Sequence, residues 1–195
     1  AMNVIETIRE LFAQRGNSQY GHEAVSQLEH ALQAAALAES DDASDALITA
    51  SLLHDVGHLL HDLPDDAPDQ GIDDRHEELA AVWLTDHFRE AVSEPARLHV
   101  AAKRYLCATS GSYRQHLSPP SQLSLQLQGG PMSSDEVAAF RAHPWSNDAV
   151  RLRIWDDQAK VSDLRTPDLE YFLKYVQRCL PAGDAPAPTT TDPAQ

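Results

Sequence analysis

Cysteine is nearly missing from this chain: Cys107 and Cys179 are two in 195 residues. That is too few for a disulfide framework, a thiolate zinc site or an iron–sulfur centre, and both are expected to be reduced structural thiols. Basic charge is scarce as well. Fifteen lysines and arginines face 30 acids, giving a net charge of −15 with histidine neutral and a pI near 4.9. Such a balance opposes non-specific binding to nucleic acid or to an anionic membrane surface. No apolar run approaches the roughly 18 residues a membrane span needs, and the N-terminus lacks the basic segment, apolar stretch and small-residue site of a signal peptide. The expectation is a cytoplasmic protein with no membrane and no nucleic-acid partner, its oligomeric state unreadable. No stretch alternates convincingly as a strand, and the length fits about one domain.

Helical periodicity fills most of the chain. Val4, Ile5, Ile8, Leu11 and Phe12 form one apolar stripe, ended by Gly16 and Asn17. A second helix is expected from Glu23 to about Ala38, and a third from an N-cap at Ser44 through Leu53 towards Leu60, stopped by Pro64. Residues 61–74 are rich in Asp with two prolines, which predicts a solvated loop. Asp74 would cap a helix carrying Leu79, Ala80, Trp83, Leu84 and Phe88; Glu94-Pro95 would open another, running to Leu106. Residues 107–134 read as a long, mostly irregular insert with a short helix from Ser121 to Leu127. Two last helices fit Asp135 to Trp155, broken at Pro144, and Pro167 to Leu180. The fold expected is an all-α bundle of about seven helices over residues 1–180, with a disordered Pro- and Thr-rich tail at 181–195.

Ten histidines are the compositional anomaly that points inward. The strongest local signal is Ser51-Leu52-Leu53-His54-Asp55-Val56-Gly57-His58. On a continuous helix His54 and His58 share a face at i and i+4, with Asp55 beside both. Glu23, Gln27 and His30 are spaced by four and three, and Tyr20 precedes them. His76 falls on the apolar stripe of its own helix, and His99 stands four residues before Lys103. Each of these histidines alone reads as a core residue. Together they point to a shared metal, because an unpaired buried ring costs a few kcal/mol and one ion satisfies several at once. His22, His61, His87, His116 and His143 fall in turns, loops or polar faces and are expected in solvent.

The order His30, His54-Asp55, His76, His99, Asp156 resembles the HD-domain superfamily. More narrowly it resembles the mixed-valent diiron oxygenases of the PhnZ/TmpB type, distant relatives of myo-inositol oxygenase that cleave the carbon–phosphorus bond of hydroxylated phosphonates. The matching segments are Gln27-Leu28-Glu29-His30, Leu52 to His58, His99 to Leu106, Gln128-Gly129-Gly130-Pro131-Met132 and Arg153-Ile154-Trp155-Asp156. The resemblance implies two iron ions in the Fe(II)/Fe(III) state with dioxygen as co-substrate. His30, His54, Asp55 and Asp156 would hold one iron; His76 and His99 would hold the other, with Asp55 bridging. It also implies that Lys103, Arg153, His58, Ser121, Ser124 and Gln128 receive a phosphonate, that Glu23 faces a cationic nitrogen, and that Tyr20 occupies an iron position until substrate displaces it. The substrate would be a 1-hydroxy-2-(amino or trimethylammonio)ethylphosphonate, giving glycine or glycine betaine plus phosphate. Two alternatives stay open on the residues alone: an HD-type phosphohydrolase using the same ligands to activate water, and a metal-free HD binding module.

Overall fold

The computed structural model describes residues 3–60 and 76–181, without the side chain of His76. The acidic loop at 61–74, His61 and the tail from residue 182 lie outside the described residues. Among those described, the chain is all-α, and its β content is an isolated antiparallel bridge between Gln19 and Ser26. The helices are α1 (Val4–Arg15), α2 (Gln27–Ser40), α3 (Asp45–Leu53), α4 (Gly57–Leu60), α5 (His76–His87), α6 (Glu90–Arg97), α7 (His99–Thr109), α8 (Pro119–Leu127), α9 (Ser134–Ala142), α10 (Ser146–Gln158) and α11 (Leu169–Cys179).

Eleven α-helices among the described residues exceed the seven expected, because local chemistry divides longer periodic runs. A capping box starts α2 at Ser26, whose side chain accepts from Glu29 N while the Glu29 carboxylate accepts from Ser26 N. Glu23 therefore lies in the turn before α2, not on its face. The third expected helix breaks after Leu53. Val56 N, His58 N and Leu59 N donate to carbonyls three residues back, at 2.9–3.0 Å, so His54, Asp55 and Val56 form a tight turn and α4 starts afresh. Glu94-Pro95 lies inside α6 and does not open a helix. The 107–134 insert is largely ordered: α7 runs on to Thr109, a 3₁₀ turn covers Tyr113–His116, and α8 begins with two prolines behind the N-cap Ser118.

Helix α3 is the centre of the main core. Every residue from Leu47 to Leu53 is buried, the mark of a helix enclosed on all sides, and α2, α6, α10 and α11 pack around it. Phe172, Leu173 and Val176 of α11 and Ile8 and Phe12 of α1 close the same cluster. A smaller cluster of Leu98, Ala102, Phe140 and Ala149 lies under α7, α9 and α10. The tight turn that follows the central helix thus delivers His54 and Asp55 into the middle of the bundle, reached by α2, α7 and α10.

Phe172 has no exposed surface. Phe172→Ala should lower the unfolding free energy by about 3–5 kcal/mol, measured by denaturant titration with an unchanged slope; a loss under about 1 kcal/mol would contradict this packing.

Candidate metal centre

Three imidazoles meet at the end of α3, each oriented by a backbone carbonyl at the end of a helix. His54 Nδ1 donates to Ser51 O at 2.7 Å, in the last turn of α3. His99 Nδ1 donates to Ala96 O at 2.6 Å, in the last turn of α6. His30 Nδ1, on α2, donates to Ala159 O at 2.8 Å, at the end of α10. A carbonyl can only accept, so these bonds place the ring proton on Nδ1 and turn the Nε2 lone pair inward, as a metal ligand requires.

Two buried carboxylates complete the group. Asp55 Oδ2 lies 3.5 Å from His30 Nε2 and 3.2 Å from His54 Nε2, whereas its Oδ1 lies 3.4 Å from His99 Nε2. The two oxygens of one carboxylate thus face two different histidine sets. Asp156 Oδ1 stands 3.3 Å from His30 Nε2, and neither Asp156 oxygen receives a hydrogen bond of good geometry among the described residues. His30 Nε2 and His54 Nε2 are only 3.2 Å apart. That spacing needs either a shared proton or a cation between the two nitrogens, and the ligand atoms of His30, His54, Asp55 and Asp156, all within 4.8 Å of one another, could hold a metal ion.

Electrostatics lead the same way. Burial would push His30 and His54 down, but Asp55 and Asp156 outweigh it: His30 is raised, and His54 is pushed up to about 10. Burial would raise Asp156, but the Arg153 guanidinium holds it well below the usual carboxylate range. His99 is lowered by burial. Tyr20, in the turn before α2, donates its hydroxyl to Asp55 Oδ2 at 2.6 Å and stacks on His30 with ring centres 3.9 Å apart. His58 meets the edge of the same ring at 6.0 Å. His76 opens α5, but its side chain lies outside the described residues.

Two buried cations flank the carboxylates. Lys103, one turn beyond His99 on α7 and 2% exposed, donates to Ser124 Oγ at 2.8 Å. Burial, with the Arg153 charge second, lowers it to about 7. Arg153 pairs through Nη1 with Asp156 Oδ2 at 2.8 Å and through Nη2 with Asp157 Oδ1. It also donates to Ser121 Oγ and Tyr113 Oη, each at 3.3 Å. Gln128 caps α8, its Oε1 buried without a donor among the described residues. Glu23 does not reach these groups directly: its Oε1 accepts from Ser118 Oγ and pairs with Lys160 Nζ at 3.3 Å. Of the histidines expected in solvent, His22 and His116 are exposed, whereas His87 and His143 are half-buried.

Sequence reasoning missed Tyr113, Ser118, Asp157 and Lys160. The i, i+4 spacing of Arg153 and Asp157 was a usable signal, as was Ser118 before two prolines. Lys160 follows the end of α10, where periodicity carries no information.

No protein-family model matches the chain. It is 46% identical over 177 residues, 90% of its length and 88% of the relative's, to a hydroxymethylphosphonate dioxygenase of Gimesia maris. It is 40% identical over 176 residues, 90% of each chain, to a 1-hydroxy-2-(trimethylamino)ethylphosphonate dioxygenase (glycine-betaine-forming) of Leisingera caerulea. An uncharacterised protein of Acanthamoeba polyphaga mimivirus is 34% identical over 171 residues, 86% of this chain and 78% of its own.

Ferrous iron added anaerobically should raise the thermal midpoint of the wild type, by the equivalent of about 2.7 kcal/mol at a hundred times the dissociation constant. Asp55→Ala should lose that response in differential scanning calorimetry; an equal shift in both proteins would contradict the ligand set. The lowered Lys103 gives a second expectation. It is charged below about pH 7 and neutral above, so an anion that needs its charge must bring a proton. At pH 8 the wild type should take up about one proton more than Lys103→Met on binding a phosphonate, a difference that falls towards none near pH 5.5. Calorimetry in buffers of different ionisation enthalpy measures it, and pH-independent linkage would count against it.

Proposed function

Because the chain belongs to the family of hydroxyphosphonate dioxygenases that includes the Gimesia maris and Leisingera caerulea proteins, we propose that it cleaves the carbon–phosphorus bond of a 1-hydroxyphosphonate with dioxygen. The products are a carboxylate and inorganic phosphate. The change balances: one atom of O2 ends on carbon and the other on phosphorus. The class includes hydroxymethylphosphonate, which would give formate, and the 1-hydroxy-2-amino- and 2-trimethylammonio-ethylphosphonates, which would give glycine and glycine betaine.

The observation that carries the reading is the Asp55 carboxylate, with one oxygen turned to His30 and His54 and the other to His99. In this reading His30, His54, Asp55 and Asp156 hold one iron, and Asp55 and His99, with His76, hold the second, as a mixed-valent Fe(II)/Fe(III) pair. Imidazoles and carboxylates suit iron. When bound, the pair supplies Lewis acidity for the substrate oxygens and the electrons that let dioxygen react.

The chain's own residues then bind and orient. Lys103 gives one hydrogen to Ser124, which leaves its ammonium able to donate further to a phosphonate oxygen in a buried setting where such bonds are strong. Arg153 has a protein partner on each nitrogen, so it acts on the anion through its charge and by holding Asp156 in place. Ser121, Ser124 and Gln128 line the α8 side, and His58 donates from the α4 side. Tyr20 covers His30 and bonds Asp55, which keeps water from that side until substrate displaces it.

The test is phosphate release by iron-loaded, reduced protein given each of the three hydroxyphosphonates. Phosphate should match the dioxygen consumed and vanish anaerobically. Oxygen-independent hydrolysis of phosphate esters, with no release from any hydroxyphosphonate, would overturn the reading.

A further inference from the structure

Glu23, Lys160 and Ser118 come from three segments, each of which also supplies the centre. Glu23 shares a tight turn with Tyr20, its N–H donating to Tyr20 O at 2.9 Å, and Tyr20 reaches Asp55. Ser118 is the N-cap of α8, which carries Ser121 and Ser124. Lys160 follows Ala159, whose carbonyl orients His30. The next residue is clamped: Gln33, 2% exposed, donates from Nε2 to Val161 O at 2.8 Å and accepts from Val161 N at 3.0 Å through Oε1. Lys160 is therefore held on a fixed backbone, and its charge is among those that act on Lys103.

The Glu23 and Lys160 side chains are 13% and 12% exposed, and the Ser118 hydroxyl donates to the same Glu23 oxygen that Lys160 approaches. The carboxylate that would receive a substrate ammonium is thus neutralised by a lysine of the chain itself. An ammonium-bearing substrate would meet a carboxylate already neutralised within a largely buried ion pair and would bring a second positive charge beside Lys160. A substrate with no cationic nitrogen disturbs none of this.

We propose that Lys160 determines specificity: paired with Glu23, it directs the site to 1-hydroxyphosphonates without a cationic nitrogen, of which hydroxymethylphosphonate is the smallest. The inference rests on the oxygenase reading above and narrows its substrate class.

The experiment compares kcat/KM for hydroxymethylphosphonate and 1-hydroxy-2-aminoethylphosphonate in iron-loaded wild type, Lys160→Met and Lys160→Arg, by oxygen-dependent phosphate release. The wild type should favour hydroxymethylphosphonate by at least about tenfold. Lys160→Met should shift the ratio towards the amino compound by at least about tenfold, the weight of one charge-assisted hydrogen bond, and Lys160→Arg should keep the wild-type ratio. A purely structural role for Lys160 would change both substrates together. An unchanged ratio in Lys160→Met, or a wild type that favours the amino compound, overturns the proposal; the second needs no variant to fold. A wild type that releases phosphate from neither compound overturns the oxygenase reading and this proposal with it, an outcome distinct from an active enzyme with an unmoved ratio.

Discussion

The rest of the structure is arranged around one buried carboxylate. Asp55 is 7% exposed, stands at a break between two helices, and turns each oxygen to different imidazoles. Removing a carboxylate from water costs several kcal/mol unless other charges and hydrogen bonds compensate. The surrounding fold meets that demand with Tyr20 on Oδ2 and with histidines whose inward nitrogens face both oxygens. The helix break belongs to the same region, since His54 and Asp55 lie in the tight turn between α3 and α4.

A second layer keeps the first from collapsing. The carbonyls of Ser51, Ala96 and Ala159 each take an imidazole proton, so helix ends set the orientation of the three rings. Arg153 anchors the opposite side by joining Asp156 to Asp157, Ser121 and Tyr113. Rigid orientation matters in a centre where His30 and His54 come within 3.2 Å of each other, since small rotations would close the space for an ion.

Residue types and broad helical pattern were legible in the sequence; the local breaks were not. The grouping of His30, His54, Asp55 and Asp156 comes with the family resemblance, Asp156 having no spacing signal of its own, and their convergence is present in the fold. His54 and His58 do not lie on one continuous helix, because the turn after Leu53 tightens to three-residue hydrogen bonds, which apolar periodicity does not register. The Ala- and Leu-rich stripe starts early enough to place Glu23 on a helix, but the Ser26 and Glu29 capping box outweighs it. The 107–134 segment looked irregular on its Gly, Ser and Pro content, yet two adjacent prolines behind a serine favour a helix start. Lys160 was invisible because its importance comes from a contact across 137 positions of sequence to Glu23.

The central proposal is that Asp55 would join two metal positions through its two oxygens, which face different histidines. Crystals of the iron-loaded protein, measured by anomalous scattering at the iron edge, test it most directly. The account predicts two iron peaks, one beside Asp55 Oδ2 with His30, His54 and Asp156, the other beside Oδ1 with His99. A single peak, or two peaks that do not share Asp55, would contradict it.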